Sequence, residues 1–180
     1  MKKLFDEIPC LENENIILKK LEDADGEALL EMTDSEMVYR YLPTFLHEKQ
    51  YRDMHLMLVD LYGSCFREKT NLILGIYLKK DMSFCGLAEF YGYKDETHKT
   101  CVGYRLLEEY WGKGIATQAV ALMVDYLHNE TDIEIITAST MIENQASAHV
   151  LEHNDFIMIS RAVPEDWGYP EPTIADKWVR

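Results

Sequence analysis

Apolar residues recur along this chain at two spacings, one typical of helices and one typical of strands. The run over residues 15–21 predicts a strand, and Asp23 and Asp25 are placed to cap a helix that follows it. A second short helix is predicted over 35–41. Apolar positions at helical spacing over 48–66 predict one long amphipathic helix.

Strand patterns dominate the middle of the chain and alternate with helices after it. Three apolar runs separated by short polar segments predict an antiparallel meander, and a later β-branched run predicts a buried strand. The order β-α-α-α-β-β-β-α-β-α-β-β predicts an α/β (α+β) fold. In this second part the predicted strands are 72–78, 84–91, 100–106, 133–138, 156–161 and 174–179, with helices beginning at 115 and 144.

Length and composition indicate one globular domain over residues 1–180. The chain is 47% hydrophobic, yet no apolar run approaches the ~18 residues that would span a bilayer. Acidic residues stand near the start where a secretion signal would have an apolar core, so we expect a cytoplasmic protein without a membrane partner. The cysteines form no C-x-x-C pair and indicate free thiols: Cys10, Cys65, Cys85 and Cys101.

The chain carries a large negative charge. Eighteen basic residues stand against 32 acidic ones, which gives a formal net charge of −14. Such a surface repels nucleic-acid phosphate and anionic lipid and favours the approach of cationic molecules. We therefore expect no nucleic-acid partner. The charge either steers a cationic substrate or serves only to keep the protein in solution.

A glycine-containing turn between a strand and a helix is the main candidate for ligand binding. It lies within residues 104–119, where Gly112 and Gly114 allow a positive φ and a close approach of the main chain to a ligand. The first-turn amides of the following helix and its dipole favour an anion. This turn predicts a phosphate site.

Two segments resemble the GNAT acetyltransferases, and specifically their RimJ/RimL-like branch. Residues 102–117 read VGYRLLEEYWGKGIAT and look like the cofactor segment "GY-x-L…WGKGYAT". Residues 144–156 read NQASAHVLEHNDF and look like the second motif "N-x-x-S…K-x-G-F". Trp111 replaces an Arg or Gln, and Asp155 replaces a Gly but tolerates the left-handed conformation. A dinucleotide-binding Rossmann fold is excluded, because three antiparallel-type strands precede the glycines.

The resemblance implies the GNAT acyl-CoA N-acyltransferase fold, a mixed and mostly antiparallel sheet with helices on both faces, and acetyl-CoA as the acetyl donor. In this fold the strand that ends near 106–107 diverges from the strand over 133–138 and exposes main-chain groups to the pantetheine arm. Asn144 then bonds the arm, or acts as a helix N-cap. The implied cofactor-binding residues are Leu106, Leu107, Gly112, Lys113, Gly114, Ile115, Ala116, Thr117 and Asn144.

Direct acyl transfer needs a neutral amine, and an amine with a pKa near ~10.4 needs a base, usually through water. Glu89, inside an apolar strand, is the candidate base with a raised pKa; a solvated position or a salt bridge is the alternative. The resemblance suggests that the Ser147 hydroxyl protonates the thiolate, because Leu151 stands where many members have Tyr. The alternative is a Ser147 bond to a carbonyl one turn back. A main-chain N–H near Leu107 would polarise the thioester.

Two further patterns suggest a metal site and a substrate contact. The motif H-x-x-E-H over 149–153 resembles an inverted zinc-protease motif, but it lies inside the 144–156 segment and lacks a third ligand, so we expect no metal. Four aromatic residues lie in regions that border the acceptor groove of this fold, and they either contact the acceptor or act as packing anchors. They are Tyr39, Tyr41, Trp167 and Tyr169.

The resulting hypothesis is an acetyl-CoA-dependent N-acetyltransferase acting on a primary amine by direct attack. A protein N-terminus, a polyamine and an amine drug remain open as acceptors. The alternative is a catalytically silent CoA-binding regulatory or scaffold protein, because Leu151 stands where many members have Tyr and because Val102 and Gln118 replace acidic residues that the branch often carries. The aromatic tail is consistent with a homodimer.

Overall fold

The computed structural model describes residues 1–180 and contains one eight-stranded sheet with the strand order β1-β2-β3-β4-β5-β6-β8-β7. Neighbouring strands are antiparallel except β5 and β6, which are parallel. This mixed, mostly antiparallel sheet confirms the predicted fold class. The strands are β1 (Leu11–Glu12), β2 (Ile16–Lys19), β3 (Asn71–Leu78), β4 (Phe84–Lys94), β5 (Lys99–Leu106), β6 (Ile135–Met141), β7 (Ile157–Glu165) and β8 (Thr173–Val179).

Helices cover both faces of the sheet, as predicted. A larger core packs α4 and α5 against one face, and a smaller core packs the first three helices against the other. None of these helices combines the length and the apolar composition needed to cross a bilayer. The helices are α1 (Gly26–Thr33), α2 (Glu36–Tyr39), α3 (Met54–Asp60), α4 (Ile115–Glu130) and α5 (Gln145–His153).

Strand β3 shows why the sequence requires two cores. Side chains alternate between the two faces of a strand. Leu72 and Leu74 pack into the core beneath α4, whereas Ile73 and Tyr77 pack into the core beneath α1 to α3. All four are at most 3% exposed, which explains why this strand reads as a nearly continuous apolar run.

The long helix predicted over 48–66 is wrong in its first part. Residues His47–Gln50 form a 3₁₀ turn, and α3 begins only after Asp53, whose side chain accepts a hydrogen bond from Leu56 N at 3.1 Å. The turn carries the Glu48 side chain into the protein interior, where it is fully buried. Tertiary contacts of one buried carboxylate thus override the helical pattern of this segment.

Other boundaries move by a few residues. The strand predicted over 133–138 is β6 at Ile135–Met141, and the strand predicted over 156–161 extends to Glu165. The two-residue strand β1, which pairs with β2, was not predicted. Leu61–Cys65 continues α3 as a π-helix, a feature that apolar spacing does not reveal.

Candidate active site

A gap opens between the two parallel strands of the sheet. β5 and β6 pair only over residues 99–101 and 135–137. Past Cys101, β5 pairs with β4 and β6 pairs with β8, so the two strands no longer bond each other. The free edge of β5 can pair with an extended ligand in the way that an added strand does. The divergence that the resemblance implied is present at the predicted strands.

The glycine turn after β5 forms the start of α4. Gly112 and Gly114 have φ values of 68° and 75°, in the left-handed region. A Cβ at Gly112 would meet nothing within 4 Å, so the backbone conformation rather than lack of space favours glycine there. Gly114 is the N-cap of α4, and no side chain caps this helix. Its first N–H groups are therefore available to an anion, and the helix dipole supports one.

The main-chain amides of Leu106 and Leu107, at the end of β5, point to opposite sides of the strand. The Leu107 N–H donates to the Cys85 carbonyl oxygen at 2.9 Å, so this amide is already occupied. Because N–H groups alternate sides along a strand, the Leu106 N–H points the opposite way, toward the gap. The Trp111 indole donates to the Leu106 carbonyl oxygen at 2.9 Å. Trp111, which replaces the Arg or Gln of the family motif, thus anchors the glycine turn to β5.

Asn144 and Ser147 lie on the opposite wall of the gap, at the start of α5. Asn144 is the N-cap, and its Oδ1 accepts a hydrogen bond from Ser147 N at 3.2 Å. This leaves the amide nitrogen of Asn144 without a bond in the structure, so one side chain can cap the helix and also donate to a ligand. Leu151 is buried in the core, which leaves no tyrosine at that position.

Tyr104 is a site residue that sequence analysis did not assign a role. It lies on β5 and lines the same cleft as Ser147, with its hydroxyl close to the Ser147 side chain. Burial raises the pKa of the Tyr104 phenol, and the contact with Ser147 acts in the opposite direction. At neutral pH the phenol stays protonated and able to donate.

These walls enclose a cleft of about 1160 Å³. Most of the predicted cofactor residues border it. Leu107 and the side chain of Lys113 lie outside it, and the Lys113 ammonium sits 5.7 Å from the Tyr110 ring. The predicted cofactor residues that line the cleft are Leu106, Gly112, Gly114, Ile115, Ala116, Thr117 and Asn144.

Glu89 lines the cleft but is held in a buried ion pair. Its Oε2 lies 2.7 Å from Arg105 Nη1, and its Oε1 accepts a hydrogen bond from Asn71 Nδ2 at 2.5 Å. Arg105 also binds both oxygens of Glu48. The three side chains are at most 4% exposed. Glu89 therefore forms the salt bridge that the sequence analysis gave as the alternative to a free base.

Glu48 sits behind this group, outside the cleft. Burial alone raises the pKa of its carboxyl, but the Arg105 guanidinium more than offsets this and the pKa lies below its ordinary value. The Tyr39 hydroxyl donates to Glu48 Oε1 at 2.8 Å, and burial raises the pKa of this phenol. Two carboxylates around one guanidinium leave the buried group with a formal charge of about −1.

The four aromatic residues predicted near the acceptor divide into two pairs. Tyr41 and Trp167 line the cleft. Tyr39 is a correction, because it lies in the interior on Glu48 and does not reach the cleft. Tyr169 also lies outside the cleft, where its hydroxyl donates to the Leu42 carbonyl oxygen at 2.7 Å. The contacts of Tyr39 and Tyr169 favour the alternative interpretation, in which they are packing anchors.

The H-x-x-E-H pattern does not form a convergent site. His153 Nδ1 bonds the His149 carbonyl oxygen at 2.7 Å, and both residues are exposed on α5. No third ligand from another element joins them among the clustered His, Cys, Asp and Glu side chains. A helix face therefore accounts for this motif.

Arg105 and Glu48 are the main features that sequence analysis missed. Arg105 interrupts an apolar strand, and a charged side chain at such a position signals a buried ion pair. Its partner Glu48 lies 57 residues away in the chain. No local pattern connects the two.

Comparison with known proteins identifies a family to which this sequence is similar. A sequence profile described as "Acetyltransferase (GNAT) domain" matches residues 15–157. "Uncharacterized N-acetyltransferase YoaA" of Bacillus subtilis is 23% identical over 143 residues, which cover 79% of this chain and 80% of YoaA.

Two solved structures share the fold. RimL, described as a ribosomal alpha-N-protein acetyltransferase in complex with coenzyme A, superposes with a TM-score of 0.79 at 15% identity, over 96% of this chain and 97% of that one. The spermidine N-acetyltransferase of Vibrio cholerae in complex with coenzyme A and spermine gives a TM-score of 0.76 at 17% identity, over 93% and 96% of the two chains.

Proposed function

Because this chain belongs to the GNAT acetyltransferase family, we propose that it transfers the acetyl group of acetyl-CoA to a primary amine by direct attack. The main support for this proposal is that an extended groove and an anion site lie next to each other in the structure. The gap between β5 and β6 runs into the uncapped N-terminus of α4. Coenzyme A needs both an extended groove for its arm and an anion site for its diphosphate.

The donor side of the cleft fits this role in its chemistry. The N–H groups of the 112–117 turn and first helical turn would hold the diphosphate, and the helix dipole adds a favourable partial charge. The free edge of β5 past Cys101 would bond the pantetheine arm, with the Asn144 amide donating from the other wall. The Leu106 N–H would polarise the thioester carbonyl.

The acceptor is proposed to be a cationic primary amine, either a protein N-terminus or a small polyamine. The net charge of −14 raises the local concentration of cations around the protein. The buried group around Arg105 adds about one negative charge behind the cleft. Among the fold neighbours, RimL is described as acting on a ribosomal protein and the Vibrio cholerae structure contains spermine.

Glu89 is proposed to receive the amine proton through water. An ionised carboxylate has about four acceptor positions. Arg105 and Asn71 occupy one position on each oxygen, so a water in the cleft can still bond Glu89. The fixed guanidinium keeps the carboxylate in one orientation while the proton leaves.

Ser147 and Tyr104 are proposed to stabilise or protonate the leaving thiolate. Both residues line the cleft on opposite sides of the gap, near the point where a thioester on the β5 edge would approach α5. A hydroxyl pair can donate one hydrogen bond to sulfur while the second hydroxyl supports the first.

Mass spectrometry of an amine panel incubated with acetyl-CoA tests the proposal. The panel contains spermine, a peptide with a free N-terminus, an amine drug and the same peptide with a blocked N-terminus as control. We expect acetylation of at least one free amine and none of the blocked peptide. Acetyl-CoA binding by calorimetry without any transfer would favour the silent regulatory protein, and no binding would refute both functions.

A further inference from the structure

A second cluster of reactive side chains, of which only His47 lines the cleft, has no role in the proposed transfer. It comprises His47 in the 3₁₀ turn, Asp60 at the end of α3 and Cys65 at the end of the π-helix. One potential ligand atom from each lies within 4.8 Å of the others. Cys65 Sγ is 3.8 Å from His47 Nδ1 and 3.7 Å from Asp60 Oδ2.

The π-helix is what brings Asp60 and Cys65 to one side. Residues five apart in an α-helix point about 140° away from each other, because each residue turns the helix by ~100°. Over Leu61–Cys65 the chain widens to a π-helix, and Phe66 N bonds the Leu61 carbonyl oxygen. In this geometry the i→i+5 hydrogen bond brings residues five apart closer to the same side of the helix. Such single-turn insertions are energetically unfavourable and are frequently found at functional sites.

Two of the three side chains, His47 and Asp60, are oriented by further contacts. His47 Nε2 lies 3.3 Å from the Met57 carbonyl oxygen and 3.9 Å from Asp60 Oδ2, and Nδ1 is directed to Cys65. The Tyr51 hydroxyl donates to Asp60 Oδ2 at 2.7 Å, and the Ser64 hydroxyl bonds Asp60 Oδ1. Metal-binding histidines commonly donate their second nitrogen to a carbonyl, and metal-binding carboxylates are commonly hydrogen-bonded in turn.

We propose that His47 Nδ1, Asp60 Oδ2 and Cys65 Sγ bind one Zn²⁺, with water as the fourth ligand. Zinc accepts sulfur, nitrogen and oxygen ligands at about 2.0–2.3 Å in a tetrahedral arrangement, which places ligand atoms about 3.3–3.6 Å apart. The two separations from Cys65 Sγ, 3.7 and 3.8 Å, therefore need to contract by only a few tenths of an ångström. His47 approaches Asp60 Oδ2 through Nε2 at 3.9 Å, so binding through Nδ1 also requires a small rotation of the imidazole ring. A mixed set of imidazole, thiolate and carboxylate does not suit Mg²⁺ or Ca²⁺.

Metal binding would restrict the motion of the 3₁₀ turn that forms part of the cleft wall. His47 and Gln50 line the cleft, and Glu48 between them is the buried partner of Arg105. The ion would connect this turn to α3 and the π-helix through His47, while Glu48 connects it to β5. On binding, the Cys65 thiol releases its proton to solvent and the thiolate donates an electron pair to the ion.

The test uses the purified full-length chain after treatment with a chelator. Titration with Co²⁺ is expected to saturate at one ion per chain and to produce a thiolate-to-cobalt absorption band, which Zn²⁺ then abolishes by displacement. Cys65→Ser is expected to remove that band, and His47→Gln is expected to weaken binding at least 100-fold. Tyr51→Phe leaves the ligands intact and is expected to weaken binding about 10- to 100-fold.

Two control variants separate this site from the rest of the chain. Cys10→Ser changes an exposed thiol, and a double variant, His149→Gln with His153→Gln, removes the other histidine pair. Both are expected to bind one ion with unchanged affinity. Loss of the band in the double variant, or an unchanged band in Cys65→Ser, would overturn the assignment.

A measurement on the unmodified protein covers the case in which a variant fails to fold. Alkylation of the thiols with iodoacetamide, followed by peptide mass mapping, compares Cys65 with Cys10 in the presence and absence of Zn²⁺. We expect Zn²⁺ to protect Cys65 at least tenfold and to leave Cys10 unprotected. Equal alkylation of Cys65 under both conditions would refute the site.

Discussion

Arg105 and Glu48 form an ion pair with two parallel hydrogen bonds in the interior of the protein. Arg105 Nε lies 2.5 Å from Glu48 Oε1 and Arg105 Nη2 lies 2.6 Å from Glu48 Oε2. The third guanidinium nitrogen binds Glu89 on the neighbouring strand. A single side chain therefore joins the sheet, the 3₁₀ turn and the wall of the cleft.

Removal of Arg105 is predicted to be strongly destabilising. Arg105→Met leaves two buried carboxylates without their counter-charge, and breaking such a buried pair costs about 3–5 kcal/mol. Urea unfolding followed by circular dichroism measures the change. Arg52→Met is the control, because its ion pair with Asp34 is largely exposed, and its unfolding midpoint should barely move. A similar midpoint for both variants would contradict the prediction.

The Glu48 carboxyl is predicted to contribute to unfolding in acid. Its pKa in the folded protein lies below the ordinary value of 4.5. Its contribution to stability is therefore fully present above pH 4.5 and is lost as the pH falls through the lower folded-state pKa. The free energy of unfolding, measured at pH values from 6 down to about 3, should fall less steeply in Glu48→Gln than in the unmodified protein. Equal slopes would exclude this role.

Glu89 and Glu48 allow a matched test of the proposed base. Both bind Arg105, but only Glu89 lines the cleft. Glu89→Gln is expected to lower kcat by about 10²–10⁴-fold and to remove the basic group from the pH profile. Glu48→Gln should retain most of the activity. If both variants lose kcat equally, the carboxylates act through structure and Glu89 is not the base.

Gly114→Ala is predicted to weaken coenzyme A binding about tenfold. An alanine at a φ of 75° is strained by about 1–2 kcal/mol, and relief of that strain would turn the first amides of α4 away from the diphosphate. Calorimetry with coenzyme A measures the change in Kd. Gly26→Ala is the control, because Gly26 has a helical φ of −56° and room for a Cβ. An unchanged Kd for Gly114→Ala would place the diphosphate elsewhere.

The hydroxyls of Ser147 and Tyr104 are predicted to act in release of the thiolate. Ser147→Ala should lower kcat by about 10²-fold while the Kd for coenzyme A stays within a few-fold. Tyr104→Phe should have a smaller effect, and the double variant should fall short of the product of the two because the hydroxyls act as a pair. Free-thiol release during turnover measures each rate. An unchanged kcat in Ser147→Ala rejects the role.

Local sequence signals were sufficient for the framework of the site. Alternating apolar runs with polar turns between them predicted the meander, and a helix start after two glycines predicted the uncapped α4. The prediction for Asp155 is confirmed as well, since its φ is 60°. These features depend on residues close together in the chain, where periodicity and backbone preferences act.

The missed features depend on contacts between distant segments. Nothing near Glu48 in the sequence indicates that Arg105 would draw it inward and end the helical pattern. The register of β4 against β5 decides that the Leu107 amide bonds Cys85 and that Leu106 faces the gap. A shift of one residue would exchange their roles, and sequence patterns place strands less accurately than that.

The short ladder between β5 and β6 has a consequence for ligand entry. Hydrogen bonds between these strands end at the pair of Cys101 and Thr137, so an extended molecule enters the sheet without displacing any existing strand. The new backbone bonds are then opposed by the loss of bonds to water and of the ligand's translational, rotational and conformational freedom, but not by the breaking of strand–strand bonds. Association should accordingly be rapid, and the free and occupied forms should share nearly the same backbone.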